Sequence, residues 1–174
     1  MSFLFSARKK RIPAALSKDT EAALARLLRR KRANLSCAES CTGGYLAHVL
    51  TMSTKLSQRF KGGIIAYSPE VKESLLMVEP AVTQEEQAVN EACARAMLCG
   101  LLETMDTKYG IALTGFAGPD GGTEQHPLGT VWIAAGSKKN MVTEKLVFGK
   151  TREENVPLFT HAALELLRKT LENE

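Results

Sequence analysis

Apolar residues recur in this chain at helical spacing in several stretches, separated by short continuous apolar runs that end in glycine or polar turns. Ala22, Ala23, Leu24, Leu27 and Leu28 follow a period near 3.6, with Ser17 placed to cap the helix they predict. Leu35 to Ala38 is a short strand, and the polar turn Glu39-Ser40-Cys41-Thr42-Gly43-Gly44 leads into a second helix carrying Tyr45, Leu46, Val49 and Leu50. Gly63-Ile64-Ile65-Ala66-Tyr67 reads as a buried strand, and Ser68-Pro69 as the cap and first position of a helix that places Lys72 in its first turns. Thr83 and Glu86 have capping-box spacing ahead of a long helix with Val89, Ala92, Cys93, Met97, Leu98 and Leu101 on its apolar side. Gly110 to Thr114 is another strand. Thr130 to Ala135 and Met141 to Phe148 suit a hairpin joined through residues 136–140. A last helix carries Phe159, Ala162, Ala163, Leu166 and Leu167, and Pro157 leaves its start between Thr151 and Val156. Alternating helices and strands with a hairpin at the end predict an α/β fold, a layered α/β/α domain on a mixed sheet.

Composition narrows the class. With 174 residues, 44% hydrophobic and 24% charged, the chain has the apolar content of one domain with a core, expected over residues 17–174 behind a basic arm at 1–16. No apolar run approaches the roughly 20 residues that span a bilayer, so no membrane partner is expected. The net charge of +4 is uneven: residues 1–33 hold ten Lys or Arg against two acids, and the remainder holds 13 against 17. Arg8, Lys9, Lys10 and Arg11 resemble a transit segment only in charge, and Arg29-Arg30-Lys31-Arg32 closes a helix, where cations meet the negative end of the dipole. With no aromatics interleaved to stack bases, a nucleic-acid partner is disfavoured. Cys37, Cys41, Cys93 and Cys99 lack paired metal spacing and disulfide density, and His48, His126 and His161 are scattered. Reduced thiols, a cytoplasmic location and no metal or other cofactor are the expectation.

Chemistry is expected in loops that leave strand ends, at residues 39–44, 67–72 and 114–122. None forms a P-loop or a G-x-G-x-x-G fingerprint, which removes the best warrants for ATP hydrolysis and dinucleotide redox chemistry. What remains is a hydroxyl, an amine and backbone donors. Ser40 is a candidate nucleophile and Lys72 a candidate base, Tyr67 a group to relay or position a proton, and the N–H groups near Gly43 and Gly44 a cradle for an oxyanion or phosphate. Each has a plainer reading: Ser40 as a cap, Lys72 as solvated surface, and Cys41 as an inert thiol rather than a competing nucleophile.

Three ordered blocks resemble the CinA C-terminal domain family: Ala38-Glu39-Ser40-Cys41-Thr42-Gly43-Gly44; Gly62 to Ser68 followed by Lys72; and Thr114 to Gly122 with Pro127-Leu128-Gly129-Thr130-Val131. The likeness covers about residues 20–170. It implies a metal-independent amidohydrolase that converts nicotinamide mononucleotide to nicotinic acid mononucleotide and ammonia, with a pyridine nucleotide as its small-molecule partner and a homo-oligomer as its assembly. The positions it assigns are Ser40, Lys72 and Tyr67 for catalysis, with Glu39, Thr42, Gly43, Gly44, Thr114, Gly115, Ala117 and Gly118 around the nucleotide. Larger CinA proteins carry a further N-terminal domain, which a chain of this length is not expected to contain. The sequence departs from the family pattern twice. Lys55-Leu56-Ser57 stands where Gly-Ser-Ser is common, keeping Ser57 as a secondary site residue. Lys150-Thr151-Arg152 stands for Gly-Asp-Arg, leaving Arg152 to hold phosphate, while a second arginine four residues on is Val156.

Overall fold

The computed structural model describes residues 17–174, so the expected basic arm at 1–16 lies outside the described residues. The chain runs α1 (Lys18–Arg30), β1 (Leu35–Glu39), α2 (Tyr45–Met52), β2 (Phe60–Ile65), α3 (Pro69–Leu76), α4 (Pro80–Gln84), a 3-10 turn (Glu85–Ala88), α5 (Glu91–Thr104), β3 (Tyr109–Gly115), β4 (Thr130–Gly136), β5 (Met141–Val147) and α6 (Arg152–Glu172). The sheet order is β2-β1-β3-β4-β5. β1 lies parallel to β2 and β3, whereas β4 is antiparallel to both β3 and β5. The expected mixed sheet and terminal hairpin are both present.

Strand alternation divides the core in two. Leu35, Cys37, Ile111, Leu113, Val131 and Ile133 pack under α1, α2 and α6. Ala38, Ala112 and Ala134 face the other way, toward α3 and α5. Small residues on that second face bring α5 close, and a Cβ on Gly110 would stand 2.7 Å from Leu98. α5 approaches α3 just as tightly, because a Cβ on Gly100 would lie 1.8 Å from the Leu76 carbonyl oxygen. Gly100→Ala is therefore expected to destabilise the fold by about 1–3 kcal/mol, seen as a lower urea midpoint with an unchanged m-value.

Two local expectations are corrected, at the second strand and at the long helix, and the start of the last helix falls within its expected range. The strand read at Gly63 to Tyr67 begins earlier, at Phe60, and is an edge strand with alternate residues exposed rather than buried, because β1 pairs with only one side of it. Ala66 and Tyr67 lie beyond its end. The long helix opens at Asn90, whose side chain accepts from the Cys93 N–H at 2.7 Å, and Val89 precedes it. Thr83 sits instead in short α4 and donates to Glu73 at 2.5 Å, while the side chain of Glu86 lies outside those described. α6 starts at Arg152 behind a Thr151–Glu154 capping box, and Pro157 is carried inside it.

Candidate active site

β1 is the topological switch of the sheet. The chain leaves it toward β2 through α2 on one face, and leaves its other neighbour β3 toward β4, so a crevice opens beyond the carboxyl ends of β1 and β3. Ser40 follows β1 directly, and its N–H is fixed to the Leu113 carbonyl at 3.2 Å. A cavity of about 300 Å³ lies there, lined by Ser40, Tyr67, Lys72, Thr114, Gly118 and Arg152 among others. That volume is at the small end of ligand pockets.

Lys72 arrives from α3 and is 2% exposed. Its Nζ donates to Ser40 Oγ at 3.1 Å, to the Ala66 carbonyl at 2.8 Å and to the Tyr67 carbonyl at 3.2 Å. Burial pushes its pKa below the ordinary lysine value, opposed by the nearby thiols of Cys93 and Cys41 and by Glu70. The three N–H donors of the ammonium form match these three acceptors, while a neutral amine would keep two donors for the carbonyls and offer its lone pair to the Ser40 hydroxyl. Cys41 does not compete: burial raises its thiol to about 12.

Glu39, one residue earlier, has the opposite strand parity and points to the other face. It is 1% exposed and accepts from Thr42 Oγ1 at 2.6 Å and from the N–H groups of Gly44, Leu46 and Ala47 at 3.0, 3.0 and 2.8 Å. Glu39 thus caps α2 from β1, since Gly44 at the N-cap has no side chain to do so. The donors expected to cradle a ligand are spent, because the Gly43 N–H bonds the Ser40 carbonyl at 3.1 Å and the Gly44 N–H bonds Glu39. Glu39, Thr42, Gly43 and Gly44 hold the Ser40 turn and do not line the cavity.

The opposite wall is the loop after β3. Thr114 donates to the Ala88 carbonyl at 2.8 Å, and Gly115 allows β4 to approach, since a Cβ there would stand 2.4 Å from the Thr130 carbonyl oxygen. Arg152 donates to the Gly118 carbonyl at 2.6 Å and to the Tyr67 hydroxyl at 3.3 Å. Two of its five N–H donors are so used. Tyr67 is 61% exposed, which places its ring at the mouth of the cavity with Arg152. Asn155 was not singled out by the sequence. Fully buried, it donates to the carbonyls of Ala117 and Lys150 at 2.9 and 2.8 Å, tying the loop to the start of α6. Its only trace in sequence is a polar residue on the buried face of an amphipathic helix.

Ser57 does not line this cavity. It precedes Arg59, whose carbonyl accepts from the Leu35 N–H at the start of β1, so the strand's length, roughly 15 Å at about 3.3 Å per residue, separates it from Ser40. Val156 packs partly buried against the core and is likewise off the cavity lining. Ser57 and Val156 are therefore off the cavity, whereas the second departing stretch ends at Arg152, which lines it.

A buried serine–lysine pair at the switch point of a mixed sheet, covered by helices on both faces, defines a three-layer α/β domain with a polar cleft at the strand ends. The chain belongs to the CinA C-terminal domain family, which it matches over residues 17–171. It is 37% identical over 151 residues to a CinA-like protein of Cytophaga hutchinsonii, covering 87% of this chain and 36% of that protein. It is 41% identical over 150 residues to one from Synechocystis, covering 84% and 36%. The chain thus spans little more than a third of the length of these curated relatives. Among solved structures it resembles a CinA superfamily protein from Klebsiella pneumoniae, at 31% identity and a TM-score of 0.84, covering 90% of this chain and 98% of that one. A competence/damage inducible protein from Agrobacterium tumefaciens is 28% identical with a TM-score of 0.83, covering 92% and 99%. No helix among the described residues is long and apolar enough to cross a membrane.

Proposed function

We propose that the chain is an amidohydrolase that deamidates nicotinamide mononucleotide. The observation that carries this reading is the buried 3.1 Å contact between Ser40 Oγ and Lys72 Nζ, with both remaining lysine donors engaged by carbonyls. Neutral Lys72 takes the Ser40 proton as Oγ attacks the carboxamide carbon. Ala117 and Gly118 line the cavity, and their backbone N–H groups are the donors proposed to steady the oxyanion. Lys72 then protonates the departing nitrogen, ammonia leaves, and an ester on Ser40 remains. Water, deprotonated by Lys72, hydrolyses that ester to nicotinic acid mononucleotide and restores the serine. Arg152, with unused donors beside Tyr67, holds the substrate phosphate.

Purified protein should release one ammonia per nicotinamide mononucleotide consumed, with or without a chelator, and Ser40→Ala should release none. Saturable binding of the nucleotide without ammonia would replace the hydrolase with a nucleotide-binding protein.

A further inference from the structure

A second cavity, of about 410 Å³, lies between α1 and the turn that precedes β2, lined by Ala22, Ala25, Arg26, Arg29, Lys55, Gln58 and Arg59. It contains four cations and no carboxylate. Several other surface cations among the described residues stand beside acids: Lys31 with Glu174, Lys61 with Asp106, Arg95 with Glu91, Lys138 with Glu103, and Arg168 with Glu165 and Glu172. Arg26, Arg29, Lys55 and Arg59 have no such partner among the described residues. The nearest acid on the same helix face, Glu21, is turned to Ser53, which donates to it at 2.6 Å. Arg26 also borders a neighbouring groove that holds Asp19 and Glu165, so Arg29, Lys55 and Arg59 are the uncompensated set.

The end of α1 explains part of this charge but not all. A helix C-terminus presents about half a negative charge, against three full positive charges here. Converging like charges are unfavourable without a counter-anion. Lys55, moreover, opens the stretch that departs from the family pattern, so this chain adds a cation to the groove where a glycine is common.

We infer that this groove is a binding site for a compact oligophosphate anion. Ala22 and Ala25 line it beside the basic side chains, and cations from α1 and from the turn before β2 border one concave space. Guanidinium groups match phosphate oxygens in pairs. No aromatic side chain lines the groove to stack a base, which favours an isolated oligophosphate over a nucleic acid. The groove lies at the amino ends of the strands, at the far end of β1 from Ser40, so its occupancy does not depend on the deamidase reading.

Calorimetric titration of the whole chain with inorganic tripolyphosphate at low salt tests this. A single saturable site is expected, weakening as salt rises, with affinity lowered at least about tenfold in the double variant Arg29→Gln, Lys55→Gln. The double variant Lys61→Gln, Lys138→Gln removes the same net charge from paired positions and should bind as the parent does. Equal loss in both variants, or absence of a saturable site, overturns the proposal. So does duplex DNA that binds and resists displacement by tripolyphosphate.

Discussion

Lys72→Ala and Lys72→Arg are each expected to lower ammonia release from nicotinamide mononucleotide by about a thousandfold, within the range a positioned general base contributes. Alanine removes the base. Arginine keeps the charge, but its guanidinium does not deprotonate in proteins, so it offers Ser40 no lone pair. In the parent protein kcat/KM should climb with pH and level off once Lys72 is neutral, at an apparent pKa below the ordinary lysine value, because burial disfavours its ammonium form. A flat profile below that value, or turnover in Lys72→Arg, would remove Lys72 from this role. The same shift affects stability with a defined sign. Between the lowered folded pKa and the unfolded value near about 10.4, the unfolded chain binds more protons, so stability attributable to Lys72 rises with pH across that window. Cys93 and Cys41, raised to about 11 and about 12, act in the opposite direction, since their folded forms hold protons that the unfolded chain has lost. The Lys72 contribution is therefore read as the difference in urea stability between the parent and Lys72→Met, and that difference should move in favour of the parent as pH rises.

Much of this site is written into local patterns. Ser17, Ser68-Pro69 and the hairpin at 130–147 are read correctly because caps, proline and short loops act over a few residues. The pairing of Ser40 with Lys72 is readable only as two separate loop ends, since nothing in either stretch states that β1 and β2 are neighbours. Non-local facts are where the reading fails. The edge position of β2 is fixed by strand order, and the distance of Ser57 from the cavity by which end of the sheet it occupies. Asn155 is hidden for a similar reason: its partner Ala117 lies 38 residues away, on the loop after β3. Glu39 is the instructive case. It adjoins Ser40 and looks like a ligand-facing acid, yet strand parity turns it to the other face, where the donors of α2 consume it.

That role gives Glu39 its own signature. Glu39→Ala is expected to destabilise the fold by about 3–5 kcal/mol, because it strips the acceptor from five buried or half-buried donors at once, the Cys37 thiol included. Glu39→Gln keeps the shape but presents an NH₂ where N–H groups already point, so it should lose less, about 1–3 kcal/mol. Urea unfolding of the two variants reads this order. The kinetic consequence separates an anchor from a ligand contact. The turn after β1 sets where Ser40 Oγ stands relative to Lys72, and a 3.1 Å contact tolerates little drift before proton transfer suffers. In Glu39→Gln, kcat should fall while KM for the nucleotide stays close to that of the parent. A variant with raised KM and unchanged kcat would instead put Glu39 against the substrate, and would show that the α2 cap is not what holds the nucleophile in place.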